Sequence, residues 1–369
     1  MISDPNTKPI KTAILLLNMG GPESASEVHP YLKELFQDKE LLKLPIQKIL
    51  GNFIAWRRTP FIQQRYEELG QYSPTRRIME EQGQKIAALL DESSPETAPH
   101  ACVPGFRYAV PRTGDELERF NEAERIILFS HYPQHSCSTS GSSLCDAYRW
   151  LNEHPGLQDK ISVIDRWWNR EDYTDLWVQL IERKFKEFKS SNNLSDEDVL
   201  ILYSAHSLPE AYCLEKGDLY NLEIKGTVEN IEKKLKSRGL NHKHSLGWQS
   251  KVGPKRTKWL SPSTPEVIEN STEKAILIVP VAFTTDHIET LDEIDIEFRE
   301  YVEDGKKLFC RADCFNLDDS FIRLCGKLVE EHISENYKSS IRPCCKNCVG
   351  KDCAAMREYF SSKPVHFEA

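Results

Sequence analysis

The sequence predicts an α/β protein made of two similar Rossmann-like halves, each built on a parallel sheet. Eight short apolar runs recur between longer amphipathic stretches, and strands alternating with helices form right-handed β-α-β units whose sheets are parallel. The runs fall into two sets of four. With 369 residues, 39% of them apolar, the chain is large enough to build two ordinary cores.

The first set is Ala13 to Leu17, Cys102 to Ala109, Ile126 to Phe129 and Ile161 to Ile164. The second is Val199 to Tyr203, Ser245 to Trp248, Ala275 to Val281 and Leu308 to Cys310. The first strand runs into Asn18-Met-Gly-Gly-Pro22, where two glycines permit positive φ or close backbone approach before a helix. It is not the dinucleotide fingerprint, and an ordinary tight turn is the simpler reading. Leu41 to Arg58 is the most apolar stretch outside the strands, with Trp56 and four cationic side chains among its aliphatics. That pattern suits either a membrane interface or a helix packed on the sheet. The amphipathic stretch Asp172 to Lys189 and the polar linker Ser190 to Asp196 separate the halves. The expected units are therefore 12–170 and 171–330, with 331–369 as a C-terminal extension.

A formal charge of −9 and a pI near 5.8, without a long basic stripe, argue against a nucleic-acid partner. No apolar run approaches the roughly 18 residues that span a bilayer, so membrane contact is expected to be peripheral. Eleven cysteines, an odd and sparse set, point to a reducing compartment rather than a disulfide scaffold. The first residues have neither the apolar core of a secretory signal nor an Arg-rich amphipathic pattern, and show no address.

Two motifs sit beyond strands of the second half, Tyr203-Ser-Ala-His-Ser-Leu-Pro209 and Phe283-Thr-Thr-Asp-His-Ile-Glu-Thr290. Ligands bind parallel sheets beyond the carboxyl ends of their strands, so His206 and Glu289 are expected to face one pocket. Glu293 and Glu297 follow Glu289 at intervals of four and would line one helical face. Like charges so placed are best tolerated where a cation passes or protons are shared, which suits a metal or proton path leading from His287 and Glu289. An acidic solvated face is the plainer alternative.

Cys345, Cys348 and Cys353 supply three thiols within nine residues, a pattern for zinc or an iron-sulfur cluster. A fourth ligand would come from Cys137, Cys344, Cys310 or Cys314. Cys137 stands in a loop, His131 to Ser143, whose hydroxyl side chains are suited to capping the next helix.

Taken together, Leu17-Asn-Met-Gly-Gly-Pro22, Leu44-Pro-Ile-Gln47, Arg57-Arg-Thr-Pro60, Tyr132-Pro-Gln134 with Ser136-Cys-Ser-Thr139, Ile164-Asp-Arg-Trp167, Ser204-Ala-His-Ser-Leu-Pro209, Trp248-Gln-Ser-Lys-Val-Gly-Pro254 and Asp286-His-Ile-Glu-Thr290 closely resemble the ferrochelatases, over about residues 12 to 360. The resemblance implies insertion of Fe2+ into protoporphyrin IX, the last step of heme synthesis, by a peripheral homodimer on the matrix face of the mitochondrial inner membrane. It implies His206 and Glu289 as the central catalytic pair, with Glu293 and Glu297 continuing the acidic row. It also implies Met19, Arg57, Arg58, Tyr66, Ser73, Gln249 and Trp259 as porphyrin pocket or lip positions. Cys137, Cys345, Cys348 and Cys353 match the ligands of the [2Fe-2S] cluster of animal-type members.

Some positions depart from that pattern. Phe61 stands where a Lys is expected, Trp168-Asn-Arg170-Glu171 replaces a histidine-bearing stretch, and Lys255-Arg-Thr-Lys258 lengthens the loop before Trp259. Two rival classes are a noncatalytic heme or iron-sulfur carrier, which the intact His206 and Glu289 oppose, and a zinc hydrolase, which lacks any H-E-x-x-H motif.

Overall fold

The computed structural model describes residues 9–251, 256–334 and 351–361. Strands β1 (Thr12–Asn18), β2 (His100–Phe106), β3 (Arg125–Ser130) and β4 (Ile161–Ile164) form one parallel sheet in the order β2-β1-β3-β4. Strands β5 (Val199–His206), β6 (Lys243–Gln249), β7 (Ala275–Val279) and β8 (Leu308–Arg311) repeat that order as β6-β5-β7-β8. Each of the eight apolar runs overlaps a strand, and the differences lie at the ends. β2 ends at Phe106, although the next two amides still reach toward β1 and its turn, Arg107 N–H donating to Asn18 O and Tyr108 N–H to Met19 O. β7 stops before Pro280, which has no N–H for a ladder. β5 continues past Tyr203, since Ser204, Ala205 and His206 pair with Gly247, Trp248 and Gln249.

Alternation along the strands distributes their side chains between two faces. Ile14 and Leu16 of β1, Ile127 and Phe129 of β3, Ile201 and Tyr203 of β5, and Leu277 and Val279 of β7 all enter one core. Ala13, Leu15, Ile126 and Leu128 face a second core on the far side of the first sheet. Leu200, Leu202, Ile276 and Ile278 face a third on the far side of the second. The shared core also receives Tyr173, Trp177, Ile181 and Phe185 of helix Glu171–Asn192, the segment read from sequence as separating the halves. It lies between the sheets in sequence and binds them in space.

Two outer layers shape the site. Helices Ala25–Gln37 and Gln47–Glu68 pack on each other through Val28, Leu32, Phe36, Ala55 and Tyr66, with Ile288 of the second half against them. The far side of the second sheet is covered by a π-helix, Glu289–Phe298, which buries Ile294 and Phe298. Helix Lys351–Ser361 returns to the first half and buries Cys353, Met356 and Phe360 against its outer core.

Candidate active site

His206 is the last residue of β5, paired in register with Gln249 at the end of β6. By alternation it shares a face with Leu200, Leu202 and Ser204, the face that the π-helix covers. Glu289 opens that helix ten residues after β7 ends, so the strand delivers it through a loop rather than directly. π-helices are rare and recur at functional sites. His287 Nδ1 lies 2.9 Å from Glu289 Oε2, and its ring stands edge-on to Phe283 with centroids 4.5 Å apart.

Burial resists ionisation of Glu289, but the neighbouring His287 and the charge interaction with His206 outweigh it and hold the carboxyl down at about 2. Burial lowers the His206 pKa, against an opposing pull from Glu289. Burial also works against the charged form of His287, and here Glu289 wins, leaving that imidazole raised. At neutral pH the pair is therefore a neutral His206 beside an ionised Glu289 braced by His287.

The acidic row is real in space but not uniform. Burial pushes Glu293 up to about 7 although Ser250 and Gln249 hydrogen-bond it. Gln249 Nε2 donates to Glu293 Oε2 at 2.9 Å and to the Glu289 carbonyl at 3.1 Å, and Ser250 N–H donates to Glu293 Oε1 at 2.6 Å. Glu297, at the exposed end, meets the Arg65 guanidinium at 3.3 Å, and Arg65 also holds Asp292 at 2.6 Å. Glu289 and Glu297 thus have cationic neighbours, while Glu293 still feels the Glu289 charge, which adds to burial in raising it.

The first half faces this row with tyrosines. Tyr31, Tyr66 and Tyr132 are each held in the phenol form chiefly by burial and also by the negative charge of Glu289. Met19 N–H donates to Tyr132 Oη at 2.8 Å, which fixes the turn after β1 beside the tyrosine. Gly20 has φ +79°, and a Cβ on Gly21 would stand 2.3 Å from Ser73 Oγ, so the two glycines serve the two purposes expected of them. Ser73 is buried and donates to Thr75 Oγ1 at 2.9 Å, bracing that turn.

The remaining expected positions lie on several elements. Arg57 is exposed and Arg58 half-buried on helix Gln47–Glu68. Trp259 pairs with Pro209 across an antiparallel bridge, which ties its loop to the His206 motif. Lys255 lies outside the described residues. Phe61 is exposed, with the Arg65 guanidinium 5.9 Å from its ring centre. Arg170 forms ion pairs with Asp172 and Glu331.

Of the thiols, Cys137 begins the turn before helix Ser142–Glu153, and its N–H donates to Asp218 at 2.8 Å. Cys353 is buried and hydrogen-bonds Cys145 of that same helix. Cys344, Cys345 and Cys348 lie outside the described residues, while Cys310 and Cys314 lie at and just beyond the end of β8.

Sequence reading missed Tyr31, Arg65 and Asp292 as parts of the cleft. Arg65 and Asp292 are 227 positions apart, so no local spacing announces them. Tyr132 did carry a signal, since it follows the carboxyl end of β3.

Residues 11–333 match the family model described as Ferrochelatase. The chain is 40% identical to "Ferrochelatase, mitochondrial" of Gallus gallus, covering 98% of this chain and 90% of that one. It is 41% identical to the protein of the same name from Xenopus laevis, covering 98% and 88%, and 40% identical to that of Homo sapiens, covering 98% and 86%.

Proposed function

The chain belongs to the ferrochelatase family and inserts ferrous iron into protoporphyrin to make heme, and we propose that it does so between His206 and Glu289, with His206 taking the pyrrole protons. The carrying observation is the pairing of a His206 kept neutral by burial with a Glu289 kept ionised beside it.

The reaction exchanges two pyrrole N–H protons of the macrocycle for one Fe2+. A base poised below its ordinary pKa is available in the form that accepts a proton. An ionised carboxylate attracts the incoming ion, and a mixed nitrogen and oxygen donor set holds it without the permanence of thiolates. Glu293, titrating at about 7, and the half-exposed Glu297 lead outward along the π-helix as the path for iron or released protons. Gln249 positions the path by holding the Glu289 carbonyl and Glu293 together. We assign Met19, Arg57, Arg58, Tyr66, Ser73, Gln249 and Trp259 to the porphyrin pocket and its lip, with Tyr31 and Tyr132 beside Tyr66 in the wall. A cleft complementary to a bent macrocycle lowers the barrier by favouring a geometry nearer the transition state.

The exposed side chains of Ile49, Leu50, Phe53, Trp56 and Phe61 on helix Gln47–Glu68, with Ile46 just before it, form an apolar face, and no helix among the described residues is long and apolar enough to cross a membrane. This supports peripheral docking of the lip on a bilayer, from which the apolar substrate would enter. Relatives named mitochondrial support a mitochondrial place; the matrix face of the inner membrane and a homodimer are what the resemblance to the family implies, and we propose both. We assign Cys137, Cys345, Cys348 and Cys353 to a [2Fe-2S] cluster. A four-thiolate set suits it, and Cys353 is anchored on the helix that the Cys137 turn begins. Such a cluster would supply one-electron chemistry, for which metallation itself has no need. We likewise take 12–170 and 171–330 as the two halves and 331–369 as the cluster extension.

The test is His206→Ala. It binds protoporphyrin, seen as a shift of the porphyrin spectrum, and loses metallation by about 10²- to 10⁴-fold, the range of a general base. Metallation at the wild-type rate would remove His206 from the reaction.

A further inference from the structure

A second cluster of metal-binding side chains lies away from the cleft. Glu232 of helix Tyr220–Ser237, His242 and His244 each offer one ligand atom, and the three atoms lie within 4.8 Å of one another. His242 Nε2 is 3.1 Å from both Glu232 oxygens, and His244 Nδ1 is 3.0 Å from Oε2. We propose that these three residues bind a divalent transition-metal ion of the zinc class, at a site separate from the catalytic cleft.

The fold places them together for simple reasons. His244 pairs in register with Ile201, two residues before Tyr203 pairs with Leu246. Parallel register and alternation put His244 on the same sheet face as Tyr203, under helix Tyr220–Ser237. Gln249, at the catalytic end of β6, is five residues further on, roughly 17 Å at the strand rise of about 3.3 Å. Nothing in the reading of His206 and Glu289 depends on this cluster.

The geometry fits such an ion. Zinc bonds of about 2.0 to 2.1 Å imply ligand atoms about 3.3 Å apart along each edge of a tetrahedron, close to the two separations seen here. Two imidazoles and one carboxylate, with no thiolate among them, select zinc, cobalt or nickel over calcium or magnesium. Tyr203 Oη donates to Glu232 Oε1 at 2.6 Å, which orients the carboxylate and leaves Oε2, the oxygen within reach of both imidazoles, without a phenol partner. The His242 side chain is 1% exposed and His244 is 47% exposed. The ion therefore has one buried anchor and one solvent-facing ligand, with room for water as the fourth. Bound there, the ion would clamp the C-terminal part of the helix to the start of β6.

The experiment uses the full chain after chelator dialysis, loaded with Zn2+ or Co2+ and freed of excess metal. The porphyrin site also accepts divalent ions, so zinc is counted as the difference between the wild-type protein and His244→Ala. The expected difference is one equivalent. Cobalt should give a visible ligand-field spectrum that His244→Ala lacks, while both proteins metallate porphyrin equally, showing that the variant is folded. Tyr203→Phe should weaken zinc binding more than about tenfold, the usual loss for an outer-shell partner. Equal zinc content and equal cobalt spectra in the wild type and His244→Ala overturn the site and leave the cluster a hydrogen-bonded ion pair.

Discussion

Glu289, Glu293 and Glu297 have one spacing and one helix, yet they stand in three electrostatic settings. Glu289 is held ionised by two histidines, Glu297 meets Arg65, and Glu293 is left to burial. Glu293 therefore costs the fold something. Its folded pKa of about 7 exceeds its ordinary 4.5, so the unfolded chain loses its proton first and stability falls as pH rises between the two values. The difference corresponds to about 3 kcal/mol. Glu293→Gln should abolish that decline, measured by urea unfolding at pH 5 and pH 8, and should slow metallation if the path runs through it. A wild-type decline that persists in Glu293→Gln would place its source elsewhere. His206 gives the second prediction at this scale. Its pKa is lowered below the ordinary 6.5, and a base works only when neutral, so kcat/KM should fall on the acid side with a midpoint below 6.5. A midpoint at or above 6.5 would exclude His206 as the group that controls the limb.

At the scale of elements, the sequence made the strands legible and the cleft only partly so. β-branched and aliphatic runs bounded by polar turns need only local pattern, and all eight were found that way. His206 and Glu289 were found because their chemistry stands out at strand ends. The π-helix was not, because i, i+4 spacing of carboxylates looks alike on any helix, and its register depends on Gln249, Ser250 and Arg65 reaching it from elsewhere. Arg65 is the clearest case, since it ties helix Gln47–Glu68 to the π-helix through Asp292 and Glu297. Arg65→Ala should leave the buried Asp292 without its cation and loosen the lip, raising KM for porphyrin several-fold with a smaller change in kcat. Steady-state kinetics over a porphyrin series checks this, and an unchanged KM would show that the lip holds its place by packing alone. For Leu41 to Arg58, the structure packs one face on helix Ala25–Gln37 rather than on the sheet and leaves the other exposed. Trp56→Glu, with its side chain in solvent, should fold normally and reduce co-sedimentation with anionic vesicles. Equal sedimentation would move the membrane contact to another surface.

Across the whole molecule, the two sheets repeat one strand order but do not stand on two separate cores. The repeat was readable because order follows from successive β-α-β units. The joint core was not, because nothing in Tyr173, Trp177, Ile181 or Phe185 says which sheet their helix will meet. In space they meet both, alongside Ile14 and Phe129 from one sheet and Ile201 and Leu277 from the other. The cleft depends on this, since Tyr31, Tyr66 and Tyr132 come from the first half and His206 and Glu289 from the second. A movement between the halves would separate the tyrosine wall from His206 and Glu289. Trp177 is fully buried in the joint core, and Trp177→Ala should destabilise the protein by about 3 to 5 kcal/mol. If the core couples the halves, amide hydrogen exchange will show β1 and β7 losing protection together, and metallation will fall in step with that loss. If β1 keeps its wild-type protection while β7 loses it, each sheet is stabilised by its outer layer, and the register of the cleft must be set by the lip contacts instead.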